Sequence, residues 1–272
     1  ACPEIGRYSI GWRMGYGEDY ITKWSRWYRE LAPEKAAQYR VMFPEPITWR
    51  GYWEGRDTCQ YYRSGAFQIP FWEEGGAPRY SVALLREGCR NGTAFSYCMF
   101  WGHHPAQDGH MTKSCFSQWW KAPFRFETRI YCCMEQYMMA EKAELFGDQE
   151  ILQRILDCGD PKQIKVLGRK VRNFDENIWN DVKYSIVLNG NFHKFFQNRS
   201  LRTFLLATGD SILVEASPYD RIWGIGMSKN DRDAHDPVQW RGQNLLGFAL
   251  MEVRDELRRI CHSEDICVEI ER

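Results

Sequence analysis

A glutamate and a lysine seven residues apart, Glu135 and Lys142 in YCCMEQYMMAEKA, are the residues of this sequence best suited to chemistry. On a helix seven residues make almost two turns, so the carboxylate and the amine point the same way. Tyr137, Met138, Met139, Ala140 and Leu145 give them an apolar setting, in which the protonation of each depends on its neighbours. A carboxylate in such a place can stabilise positive charge on a reacting carbon, and an amine kept neutral by burial can act as a nucleophile. The same pair also suits an internal salt bridge in a packed helix.

The elements that must position this pair follow from hydrophobic periodicity and caps. The run AFSYCMFWG after Thr93 reads as a short strand, and HHPAQDGH behind it as a polar turn. Two further short strands are expected at Phe116–Trp120 and Phe124–Phe126, ahead of the helix that carries Glu135. Asp160 and Pro161 are a cap and first-turn pair for a helix through Lys162–Val171. Asp175 starts another through Trp179, Val182, Ile186 and Leu188, and Leu201–Ala207 is a third. Ile212–Ala216 reads as a buried strand leading into SPYDRIWGIG, a loop whose glycines let backbone approach a ligand. A long amphipathic helix spans Asn244–Ile260. The sum is an α+β chain, predominantly helical, with a small β element.

The N-terminal third has a different composition. Up to Asn91 it holds 11 arginines against 2 lysines, interleaved with tryptophan and tyrosine. Asp19–Leu31 carries a helical apolar stripe, while Ile47–Trp72 is broken by Gly51, Gly55, Gly65 and Pro70. Such arginines either lie over aromatic faces as a packing surface or help hold nucleic acid through stacked bases and phosphates. Residues 1–92 are accordingly set apart as an extension of unassigned role, and 93–272 as the domain that carries Glu135 and Lys142.

Composition excludes some function classes. Lys+Arg and Asp+Glu both number 36, so any polyanion must be held by a local patch rather than by net charge. His103, His104 and His110 lack a carboxylate at ligand spacing, so no metal is expected. Ten cysteines without a CxxC pair fit reduced thiols better than a disulfide framework. Without an apolar run of about 18 residues, or a signal-peptide layout from Ala1, the expectation is a protein of the cytosol or nucleus that does not engage a membrane.

Seven segments in order between Phe95 and Leu257 resemble the NADAR, or YbiA-like, superfamily of N-glycosidases. They are FWGH, CFSQWWKAPF, YCCMEQYMMAEKA, LGRKV, IVLNGNFHKFFQN, LLATGDSILVEASPYDRIWGIG and WRGQNLLGFALMEVRDEL. The resemblance implies a YbiA-like fold and cleavage of a bond between a ribose anomeric carbon and a nitrogen. In the branch most similar to this chain it implies hydrolysis of ADP-ribosylated guanine, with nucleic acid an admissible carrier of that base and no cofactor. Two other readings stand beside it: a non-catalytic module binding ADP-ribose or a related NAD metabolite, and hydrolysis of phosphoribosyl-amino-pyrimidine intermediates of riboflavin synthesis. That last branch carries WGDG where this sequence has Trp223-Gly224-Ile225-Gly226, which weakens the pyrimidine reading and shifts weight onto Asp220.

By the same resemblance Glu135 matches the essential glutamate and Lys142 the lysine two turns on. Asp220, Trp223 and Gly224 match the loop that shapes the sugar site. Lys142 either attacks the sugar carbon to form an imine with the opened ribose, or holds Glu135 in place. For a pyrophosphate, Arg169, Arg241 with Gly242, and Lys183 are candidates, and each also fits a solvated helix charge. Trp101 with Gly102, Trp119, Trp223 and Trp240 are candidate walls for stacking on a base. Ser117 and Gln118 occupy an FSN-like position with Gln in place of Asn, and Asn244 is a helix cap, a ligand contact, or both.

Overall fold

A computed structural model of the chain describes residues 6, 7, 9–46, 49, 51–55, 78–108 and 110–263. They form two compact units, one taking in the described residues within 1–66 and from 255 on, the other those within 67–254. The stretch 47–72 falls largely outside the described residues.

The first unit contains α1 (Tyr16–Arg29) and α2 (Pro33–Met42). Trp24, Tyr28, Tyr39 and Trp53 form an aromatic cluster within it, tied by an indole N–H donated from Trp24 to the Tyr39 hydroxyl at 2.9 Å. The Arg40 guanidinium lies 5.2 Å from the Trp53 ring centroid and donates to the Tyr28 hydroxyl. Arginine over aromatic faces is thus an internal packing device of this unit.

The second unit is α+β and mainly helical. It begins with α3 (Val82–Arg90), capped by the Ser81 hydroxyl, so this helix clusters with the residues that follow it. Among the described residues the β element consists of two pairs. β1 (Tyr97–Phe100) lies parallel to β4 (Ile212–Glu215), with Phe100 opposite Glu215. β2 (Phe124–Phe126) and β3 (Arg129–Tyr131) form an antiparallel hairpin.

The helix α4 (Met134–Leu145) is the centre of the unit, packed against α5 (Gln149–Leu156), α6 (Pro161–Gly168) and α7 (Glu176–Gln197). It buries side chains all round, Met134 through Glu141 and again Ala143, so it has no polar face to show periodicity. Gln136 fixes its start: the side-chain carbonyl accepts from Cys132 N–H at 2.7 Å, and the amide donates to the carbonyls of Ile155, Leu156 and Cys158 at the end of α5.

Two glycines allow neighbouring helices to close on α4. A Cβ at Gly168 would lie 1.9 Å from Met139 Sδ, and one at Gly190 would lie 2.4 Å from the Tyr137 ring. Asp160 caps α6 and Asp175 caps α7 through side-chain carboxylates, as their positions imply. α8 (Arg199–Leu206) follows, and α9 (Leu245–Ile260), which belongs to this unit up to Arg254, is the last helix among the described residues.

The strand expected at Phe116–Trp120 is instead a 3₁₀ turn, Lys113–Phe116, followed by a bend. Local side chains take the bonds a ladder would need: Thr112 accepts from Ser114 N–H, and Ser117 Oγ from Trp119 N–H. The carbonyls of Cys115 and Ser117 are claimed by the fully buried Lys194 of α7, at 2.8 and 3.0 Å.

Candidate active site

Because β1 and β4 run parallel, the chain leaves both on the same side, with Trp101, Gly102 and His103 after one and Ser217 to Asp220 after the other. Open parallel sheets gather ligands at this carboxyl edge. The WGIG loop is then locked to the segment before α9 by a backbone ladder. Arg241 N–H donates to the Ile225 carbonyl, Gln243 to Arg221 and Asn244 to Gly224, at 2.9–3.1 Å.

Glu135 sits in the first turn of α4, where unpaired amides favour negative charge. Its backbone N–H donates to the Gln118 carbonyl at 2.9 Å, tying the helix start to the turn that carries Trp119. One carboxyl oxygen accepts from the Trp119 indole N–H at 3.1 Å, and the other is buried with no hydrogen-bond partner. Burial pushes this carboxyl up to about 7. Lys165, the Trp119 bond and Arg169 pull it down, and Asp220 pushes it up.

A second carboxyl shares two of these charged neighbours, Lys165 and Asp220. Glu215, the last residue of β4, has an Oε2 that is buried and without a partner. Burial first, and then the Asp220 charge, raise it to about 8 against the pull of Lys165. Asp220 spends one oxygen on the backbone N–H groups of Ile222 and Trp223, at 2.9 and 2.8 Å, so it builds the loop while adding charge to the site. The Lys165 ammonium lies 5.7 Å from the Trp119 ring centroid, and the His103 ring meets the same indole edge-on at 5.1 Å. Carboxyls under opposing fields, beside cations and aromatic surface, are equipped for acid and base work on a bound sugar.

The NADAR domain model matches residues 99–258, more than half the chain and all of this constellation. The chain belongs to the NADAR family. An N-glycosidase of Acanthamoeba polyphaga mimivirus is 44% identical over 166 residues, 59% of this chain and 95% of the relative. A riboflavin biosynthesis protein of Vibrio vulnificus is 35% identical over 124 residues, 46% of this chain and 30% of that protein. The NMR structure of the E. coli protein YbiA aligns with 26% identity and a TM-score of 0.48, covering 60% of this chain and 84% of that one.

Within the NADAR domain the expected residues fall into two groups. Glu135, Trp119, Arg169 and Asp220 come together as described. Trp101 is 55% exposed, Gly102 takes a left-handed φ of 87° with open space beside it, and Trp223 is half-buried. Ser117 is half-buried at the Lys194-held turn, and Gln118 is buried with its side-chain oxygen unpartnered. Gly224 leaves no room for a side chain: a Cβ would meet the Glu215 carbonyl at 2.7 Å. Gly226 has a φ of 67°, and Arg241 is exposed.

The second group faces elsewhere. Lys142 donates to the Gly168 carbonyl at 3.0 Å and lies 3.9 Å from the Phe174 ring centroid, with burial lowering its pKa. Two turns separate it from Glu135 by roughly 10 Å of rise, and its flexible stem continues toward the end of α6. Trp240 is 4% exposed and donates to the Ala234 carbonyl, and Ile225 is fully buried. Lys183 is buried and donates to Asn180 on its own helix. Asn244 is fully buried, its side chain accepting from Glu215 N–H at 3.0 Å and donating to the Leu213 carbonyl at 2.9 Å. It caps the strand edge rather than the helix.

Sequence reasoning passed over Glu215 and Lys165. The first was legible as a carboxylate ending the apolar run Ile212-Leu213-Val214, and the second as a lysine one turn before Arg169 on a capped helix.

Proposed function

We propose that this protein is a hydrolase that cleaves the ribosyl C–N bond of ADP-ribosylated guanine and releases ADP-ribose. The observation that supports it best is the buried carboxyl of Glu135, which feels the charges of Lys165, Asp220 and Arg169, with one oxygen fixed by Trp119 and the other free of protein donors. Breaking a ribosyl C–N bond builds positive charge at the anomeric carbon. A fixed carboxylate beside that carbon stabilises the charge and takes a proton from the incoming water. The unpartnered side-chain oxygen of Gln118 is an acceptor, and a ribose hydroxyl is the matching donor.

Arg169 and Lys165 supply the positive charge a diphosphate needs, and Trp101 and Trp223 offer aromatic surface to a base. In this reading Lys142 supports the site by holding the end of α6 rather than attacking the sugar, because its ammonium is occupied by a carbonyl and an aromatic face. The name of the Vibrio relative favours a second reading, hydrolysis of a ribosylated pyrimidine of riboflavin synthesis.

The test is to incubate pure protein with a DNA oligonucleotide carrying ADP-ribosylated guanine and measure free ADP-ribose, with the ribosylated pyrimidine offered in parallel. Release from guanine, lost by about 100-fold or more in Glu135→Gln, is the expected result. Turnover of the pyrimidine alone would favour the second reading. Binding of ADP-ribose without turnover of either would make the chain a binding module.

A further inference from the structure

Resting on the N-glycosidase reading above, we propose that Glu215 is a further catalytic residue of this site, the acid that gives its proton to the departing base nitrogen while Glu135 serves as the carboxylate at the ribose carbon. The place of Glu215 in the fold supports its part in the reaction. Glu215 stands at the carboxyl end of β4, opposite Phe100, from which the chain passes to Trp101 and Gly102. Its Cγ lies 3.1 Å from where a Gly224 Cβ would be, so the WGIG loop is packed directly onto it. Its backbone is held on both sides, N–H to Asn244 Oδ1 and carbonyl from Ile225 N–H, which fixes the direction in which the carboxyl leaves the strand.

A structural carboxyl in that place would be paired. Instead Oε2 is buried with no donor, a costly arrangement that an apolar side chain would avoid at the end of an apolar strand. The two glutamates also see different surroundings. Glu135 has the Trp119 N–H, Lys165 and Arg169 to favour its charged form, against burial and the Asp220 charge. Glu215 has Lys165 on one side and Asp220 on the other, without a hydrogen bond to its carboxyl. The hydrogen bond and the second cation therefore suit Glu135 to the ionised role and leave Glu215 the better proton donor.

The step balances in that state. The C–N bond breaks with its electron pair moving to the base nitrogen, which takes the Glu215 proton. Water forms the new C–O bond and gives a proton to Glu135. Return of that proton from Glu135 to Glu215 through solvent resets the pair, so the net reaction consumes one water and no other reagent.

The experiment compares Glu215→Gln and Glu135→Gln with wild type on two substrates with N-linked ribose. One is the guanine adduct, whose base needs a proton to leave. The other is NAD, whose nicotinamide leaves as a neutral molecule without one. Glu215→Gln is expected to lose about 10²- to 10⁴-fold on the guanine adduct and far less on NAD, while Glu135→Gln loses on both.

The pH profile of kcat on the guanine adduct gives a second readout that a structural role would not move. Wild-type activity should fall as pH rises through about 8, and that limb should be absent from the residual activity of Glu215→Gln. Equal losses on both substrates, or a basic limb that persists in the variant, would overturn the role of Glu215. Where wild type leaves NAD untouched, the pH profile decides. Absence of turnover of the guanine adduct by wild type would instead overturn the glycosidase reading itself.

Discussion

Replacing Glu135 with Gln should stabilise this protein at alkaline pH and do much less at acid pH. The carboxyl is 3% exposed and is held near 7 against an ordinary 4.5, chiefly by burial. Between those two values the folded chain keeps a proton that the unfolded chain has released, so wild-type stability falls as pH rises from about 4.5 and levels off above about 7. At 1.36 kcal/mol per pH unit the full effect is about 3.4 kcal/mol, of which about 0.8 kcal/mol has accrued by pH 5. Gln keeps the shape and the acceptor for Trp119 without the charge. The stability difference, variant minus wild type, should therefore grow by about 2.5 kcal/mol between pH 5 and pH 8.5. Glu141 and Glu215, both raised to about 8, are common to the two proteins and cancel to first order. Urea denaturation at the two pH values measures the quantity directly. A difference that stays constant within about 0.5 kcal/mol would mean that Glu135 ionises like an exposed carboxylate, and its poise for catalysis near neutrality would be lost with it.

Asn244→Ala should cost about 2–4 kcal/mol, because it strands the Glu215 N–H and the Leu213 carbonyl in a fully buried place and puts Ala at a φ of 53°. A loss under about 1 kcal/mol in urea denaturation would contradict the strand-capping role. Lys142 should give no covalent sugar adduct when active enzyme and substrate are treated with borohydride, since its ammonium is already engaged by the Gly168 carbonyl and Phe174. A trapped adduct on Lys142 by mass spectrometry would restore it as the nucleophile.

What could be read from the sequence was what local chemistry decides. Asp160, Pro161 and Asp175 announced their helices because a cap acts within three residues, and the strand Ile212–Glu215 was visible as an unbroken apolar run. Glu135 stood out for the same reason, as a charge inside one continuous apolar helix. The features that escaped depend on partners far along the chain. The stretch Phe116–Trp120 has the composition of a strand, yet its carbonyls are taken by Lys194, 79 residues beyond Cys115, and no local pattern encodes that bond. Helical periodicity sets Lys142 two turns along from Glu135, but it does not encode that a four-carbon stem carries the amine to the Gly168 carbonyl at the end of α6. Glu215 becomes a second active carboxyl only through the pairing of β4 with β1 and the folding of the WGIG loop onto it, since burial and a donorless oxygen are products of that assembly. The site's chemistry is therefore divided between a helix that can be recognised alone and a strand end whose reactivity exists only in the folded protein. Substitutions that disturb the β4 edge, Asn244 first among them, should thus alter the pH dependence of turnover without touching Glu135.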